Sequence, residues 1–172
     1  SVSNNLFSSL RRKKLNQKDL HKAGRGGLIF TKPQKFHPKT FVDEYISVSE
    51  IGKIRKQLPR IKLTKAIHID SKLAIKKAVE FSIYVDYLLL DTRLEYRIGG
   101  TGKTHDWQIS KEIVKTCKKS VFLAGGLTPK NVIDAITKVN PYCVDVNSGV
   151  KAKPRIKDHE KLRLFIQNAK SV

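Results

Sequence analysis

From residue 60 onward the chain alternates between two apolar patterns, and this alternation restricts its fold more than any other feature. Short apolar runs at 62–69, 85–91, 121–124 and 142–146 have strand length. Between and after them lie helical stretches at 72–82, 110–118, 130–139 and 158–170. Strict strand–helix alternation argues for a parallel sheet with helices outside it, an α/β fold. Upstream, 27–30 (GLIF) and 42–48 read as two more strands. Ile51, Ile54 and Leu58 fall at i, i+3 and i+7, which predicts a helix over 50–58 that Pro59 ends. Asp70 or Ser71, Ser110, and Thr128 with Pro129 are the expected starts of the next helices. This makes about six strand candidates.

Composition sets the outer bounds. The chain has 172 residues, 40% hydrophobic and 29% charged, enough for one domain with a sizeable core. Residues 1–25 are a basic, irregular or helical segment, and 26–172 are expected to form a single domain. Cys117 and Cys143 provide neither a disulfide framework nor metal-ligand spacing, and His68 and His105 have no metal partners at useful spacing, so no metal is expected. No apolar run approaches the roughly 20 residues that cross a bilayer, so no membrane partner is expected. The sequence starts at Ser1 and contains no methionine, as a processed or partial product would, and its first eighteen residues vaguely resemble an organelle-targeting peptide. The expected location is cytoplasmic, with an organelle as the alternative. Net charge is +20, a field that attracts anions, whether a small phosphorylated substrate or nucleic acid meeting the basic surface. A solvated surface adapted to its ionic conditions is the plainer explanation.

The chemistry gathers where strands end. Asp91 closes the run 85–91, VDYLLLD, so it is expected to be partly buried. Burial raises a carboxyl pKa and suits it to general-acid work near neutral pH; a helix cap or a salt-bridged structural acid is the alternative. Gly99 to Thr104 (GGTGKT) fails the phosphate-binding pattern GxxxxGK[ST], because Arg97 stands where the first glycine belongs. A mobile loop closing over a ligand, with Gly100 among its contacts, fits better. GxGxxG also fails near Gly24, because Ile29 stands at the third glycine. Gly125-Gly126 and Ser148-Gly149 end the last two strands, where backbone N–H groups can reach phosphate oxygens; tight turns are the alternative. Asp145 alternates with Val144 and Val146, so it points into a barrel interior or its mouth, with Lys65 as one expected partner. Trp107 is read as a core residue.

LLLDT, GGTGKTHDW, FLAGGLTPKNV and PYCVDVNSGV, with Lys157-Asp158 after them, resemble phosphoribosylanthranilate isomerase of tryptophan biosynthesis in order and spacing. The resemblance runs from about residue 62 to 165 and thins upstream, where GLIFTKPQKFHPKTF looks like the family's second strand and the loop after it. It implies a (β/α)₈ barrel of TIM type without cofactor, here incomplete, with about six β/α units visible. It implies an Amadori rearrangement of N-(5′-phosphoribosyl)anthranilate from aminoaldose to aminoketose. On that resemblance Asp91 is the general acid, and Gly125, Gly126, Ser148 and Gly149 hold the substrate phosphate. Lys35 takes the place of the loop arginine that meets the anthranilate carboxylate, and Gly100 and Asp145 contact substrate. The family's general base is a cysteine at the end of the first strand. No cysteine precedes Cys117, and the matching position falls near Phe7, so the general base is not found. The alternative is a catalytically inactive isomerase-like fold reused as a basic, nucleic-acid-associated component, such as part of an organellar ribosome.

Overall fold

A computed structural model describes residues 27–30, 39–42, 46–92 and 104–172. Its main sheet has six strands in the order β1-β6-β5-β4-β3-β2. These are β1 (Gly27–Phe30), β2 (Lys39–Val42), β3 (Lys62–Ile69), β4 (Tyr87–Thr92), β5 (Ser120–Leu123) and β6 (Cys143–Val146). β2 through β6 run parallel. The helices are α1 (Val48–Gln57), α2 (Leu73–Ser82), α3 (Trp107–Cys117), α4 (Val132–Val139) and α5 (His159–Lys170). They pack side by side in chain order. The result is an incomplete (β/α) barrel. One expectation is corrected: β1 joins β6 antiparallel, so the sheet is not parallel throughout. β1 thereby hydrogen-bonds the edge that β6 would otherwise expose.

Strand alternation sorts the side chains into two faces. Leu63, Ile67, Leu88, Leu90, Val121, Leu123, Val144 and Val146 are buried together with Ala74, Ala78, Ile113, Val132 and Phe165 from the helices. The other face carries Thr64, His68, Tyr87, Asp91, Phe122, Cys143 and Asp145 by the same alternation. There Phe122 lies between Tyr87 and Tyr142, at ring separations of 5.2 and 6.0 Å.

Local chemistry shifts several expected boundaries. The expected strand 42–48 is instead β2, ending at Val42, followed after a gap by α1. Ser47 caps α1: its hydroxyl accepts from Glu50 N–H, and the Glu50 carboxylate accepts from Ser47 N–H at 2.8 Å. This reciprocal box starts a helix where the β-branched residues alone suggest extension. Asp106, not Ser110, caps α3 by accepting from Gln108 N–H. Ser110 is buried one turn in. α4 starts at Val132, later than the Thr128-Pro129 pair implied, because Asn131 folds back to accept from Thr128 N–H.

A salt-bridged cluster locks the opposite, amino-terminal ends of the strands. Arg55 donates to Asp86 at 2.6 Å and to the carbonyls of Tyr84, Pro59 and Ile61. Lys62 and Leu63 N–H both donate to the same carboxylate, each at 2.9 Å. Burial pushes the Asp86 carboxyl up, but these hydrogen bonds outweigh it and hold the pKa below its usual value.

Candidate active site at the carboxyl ends of the strands

The site is built from one row of residues across the sheet. His68 pairs in register with Asp91. Leu90 faces Leu123 and Leu123 faces Val144, so the next residues along these strands, Asp91, Ala124 and Asp145, continue the row. Two carboxyls therefore flank the end of β5 on the interior face. Burial pushes the Asp91 carboxyl up, against the Thr92 N–H it accepts at 2.8 Å and the field of His68. Asp145 is pushed up to about 6, first by burial and then by the negative charge of Asp91, while Lys157 pulls it down. Two acids that share a region of low polarity resist losing both protons. The charge on Asp91 makes Asp145 the later of the two to lose its proton.

Expectations for the individual residues divide. Asp91 sits half-buried at a strand end, as its apolar run predicted. Asp145 faces the same row. Lys65 is not its evident partner: Lys65 lies over the Phe81 ring of α2, 4.9 Å from its centre, among the helices. Among the described residues, the cation whose field reaches Asp145 is Lys157, on β8 (Ile156–Lys157) of the short hairpin it forms with β7 (Lys151–Lys153). Lys157 donates to the Asn147 carbonyl at 2.8 Å and to its side-chain Oδ1 at 2.9 Å. Trp107 opens α3, partly buried against the core, with Lys138 over its ring. Lys35, Gly100 and the position near Phe7 lie outside the described residues, as does the basic segment 1–25.

The two glycine loops come together. Gly125 and Gly126 have φ of 85° and 68°, a conformation that side chains resist. A Cβ on Gly125 would collide with Thr92, and one on Gly149 would fall on the Leu127 carbonyl oxygen. Gly149 lies in the 3₁₀ turn Ser148–Val150 that follows β6. The turn therefore rests directly on the loop before α4. Asn131 fixes that loop from inside, accepting from Thr128 N–H and donating to the Gly126 carbonyl at 3.1 Å. Two adjoining glycine turns at strand ends leave backbone N–H groups able to hold an anion.

The sequence alone does not show where His68, Lys157 and Asn131 lie relative to the acid row and the glycine turns. The place of His68 beside Asp91 depends on strand register, which one sequence does not reveal. Among the described residues no group of His, Cys, Asp and Glu has the arrangement of a metal site. No described helix is long and apolar enough to cross a membrane.

Comparison with known proteins places the chain among named relatives. Residues 48–168 match the family described as N-(5′-phosphoribosyl)anthranilate (PRA) isomerase. A relative of that name from Methanocella arvoryzae is 45% identical over 117 residues, covering 68% of this chain and 54% of the relative. Another, from Methanocaldococcus jannaschii, is 36% identical over 138 residues, covering 80% of this chain and 61% of the relative. The crystal structure of the Thermotoga maritima phosphoribosyl anthranilate isomerase is 38% identical, with a TM-score of 0.59 over 69% of this chain and 56% of that one. A further structure of the enzyme, in complex with reduced 1-(o-carboxyphenylamino)-1-deoxyribulose 5-phosphate, has a TM-score of 0.55 and 34% identity over 69% of this chain and 54% of that one. The chain spans a little over half the length of the relatives it matches.

Proposed function

The chain belongs to the phosphoribosylanthranilate isomerase family, and from that premise we propose that it carries out the family's Amadori rearrangement of N-(5′-phosphoribosyl)anthranilate. The observation that carries this reading is the row His68, Asp91, Asp145 beside the paired glycine turns. Asp91 is the general acid. Burial raises its pKa, and its proton passes to the ribose ring oxygen as the C1′–O bond breaks and the Schiff base forms. Loss of the C2′ proton then gives the enol, and protonation at C1′ gives the aminoketose. No electrons leave the substrate, so the reaction needs no redox cofactor. The residue that takes the C2′ proton is not assigned, since no cysteine precedes Cys117.

Gly125, Gly126, Ser148 and Gly149 hold the phosphate through backbone and hydroxyl donors. That the relative's bound compound is a 5-phosphate supports a small phosphorylated substrate. Asp145 contacts the sugar hydroxyls, and Lys35 and Gly100 complete the substrate contacts. Residues 26–172 act as one domain. The nucleic-acid reading rests on the +20 charge alone.

Turnover of freshly made phosphoribosylanthranilate by the purified chain tests the proposal, with Asp91→Asn as control. The expected result is turnover in the parent and a loss of about 10²-fold or more in the variant, with phosphate-ligand affinity nearly intact. Equal loss of turnover and affinity would contradict the acid role, and a folded parent without turnover would overturn the activity.

A further inference from the structure

Lys157 stands outside every role assigned so far, yet its contacts are specific. It bonds both oxygens of Asn147, ten residues earlier in the chain. Asn147 leads into the turn Ser148–Val150, and its φ of −127° and ψ of −76° belong to neither helix nor strand. The turn's far end is fixed from the same hairpin, because Asp158 N–H donates to the Val150 carbonyl at 2.8 Å. Its middle is fixed by Gly149 against the Leu127 carbonyl. The turn is thus held at its start by Lys157, at its centre by the neighbouring loop and at its end by Asp158.

We propose that Lys157 is a positioning residue: by clamping Asn147 it sets the conformation of the Ser148-Gly149 turn, and so the seating of the substrate phosphate. This rests on the isomerase reading for the identity of the substrate, though not for the presence of an anion. Three groups set the charge around the ammonium. Lys151, its partner across the β7–β8 hairpin, repels it, Asp145 of β6 attracts it, and Asn147 supplies its acceptors. Burial also lowers its pKa. The ammonium therefore links the anion turn to the acid row, since removing it also takes a cation from Asp145.

The test compares Lys157→Met, which keeps the stem and loses the donors, with Lys157→Arg, which keeps charge and donors. Lys157→Met should raise KM, and the Kd for inorganic phosphate, about tenfold, while kcat changes less than about twofold. It should also move the Asp145 midpoint, read by carbon NMR of the carboxyl, to higher pH. Lys157→Arg should recover most of the affinity. Should Lys157→Met fail to fold, Asn147→Ala supplies the readout, with a smaller loss in the same direction. Unchanged phosphate affinity in Lys157→Met would overturn the proposal, as would an arginine variant no better than methionine. A parent that binds phosphate but does not isomerise, with weaker binding in Lys157→Met, would sink the activity and keep the clamp. A parent that binds no phosphate would sink the clamp.

Discussion

Thr92 and His105 are joined twice: the threonine Oγ1 lies 3.0 Å from the ring Nδ1 and accepts from the histidine's backbone N–H at 3.2 Å. The other ring nitrogen, Nε2, meets the Ser110 hydroxyl at 2.6 Å. This chain of bonds ties the end of β4, immediately after Asp91, to the first turn of α3. Thr92→Val keeps the shape and removes the shared hydroxyl, leaving buried partners on His105 unmatched. It should cost about 1–3 kcal/mol of stability. Urea unfolding checks this, and an unchanged midpoint would show that the bonds contribute nothing net.

Burial also sets the acid response of this pair. It lowers the His105 pKa from 6.5 to about 4. Between those values the unfolded chain binds the proton first, so stability falls as pH drops from about 6.5 to 4. Asp145 has the opposite sign. Its folded pKa is raised from 3.8 to about 6, so its contribution is lost as pH rises through that window. Asp91, also raised, adds to Asp145. The two slopes oppose each other between about pH 4 and 6. Asp145→Asn should expose the histidine's slope, up to about 1.4 kcal/mol per pH unit. Urea midpoints at several pH values in this window check it, and parallel pH curves for parent and variant would contradict it.

What the sequence revealed, and what it withheld, follows from the range of each interaction. Asp91 and the two glycine pairs were legible because strand ends and turns are local patterns. The capping of α1 by Ser47 and Glu50 was equally local, but the strand-like reading of 42–48 obscured it. The row that sets His68 beside Asp91 depends on register between strands 23 residues apart. The pairing of Lys157 with Asn147 depends on a hairpin folding back. Lys65 looked like a partner for Asp145, but period-2 alternation puts it among the helices, where its stem and charge rest on Phe81. The antiparallel β1 was invisible, because strand direction leaves no mark in a four-residue apolar run.

The cluster around Asp86 should separate stability from activity. It sits at the amino-terminal ends of β3 and β4, away from the acid row, where barrel folds place stabilising rather than catalytic groups. Asp86→Ala leaves Arg55 and Lys62 facing each other and strips the acceptor from Leu63 N–H. The side chain is about one-fifth exposed, which softens the loss. A fall of about 1–3 kcal/mol in unfolding free energy is expected, with KM unchanged at temperatures where the variant is folded. A rise in KM without loss of stability would contradict this assignment.

Gly149→Ala should act the other way, on binding before stability. The added methyl would meet the Leu127 carbonyl oxygen and the Thr128 backbone. Both atoms belong to the loop that Asn131 braces and that leads into α4, so neither can yield without moving the braced loop. The Ser148-Gly149 turn is the more exposed partner, so the collision pushes it against the bonds that hold its two ends. Its displacement separates the two turns proposed to hold the phosphate, while Asp91, on β4, stays in place. KM for the phosphorylated substrate should therefore rise at least about tenfold, with kcat reduced less, since a contact made equally in ground and transition states affects binding alone. Overpacking should also cost about 1–3 kcal/mol. Steady-state kinetics beside a denaturation curve decides the matter. A kcat loss larger than the KM rise would mean that the turn positions the reacting sugar as well as its phosphate.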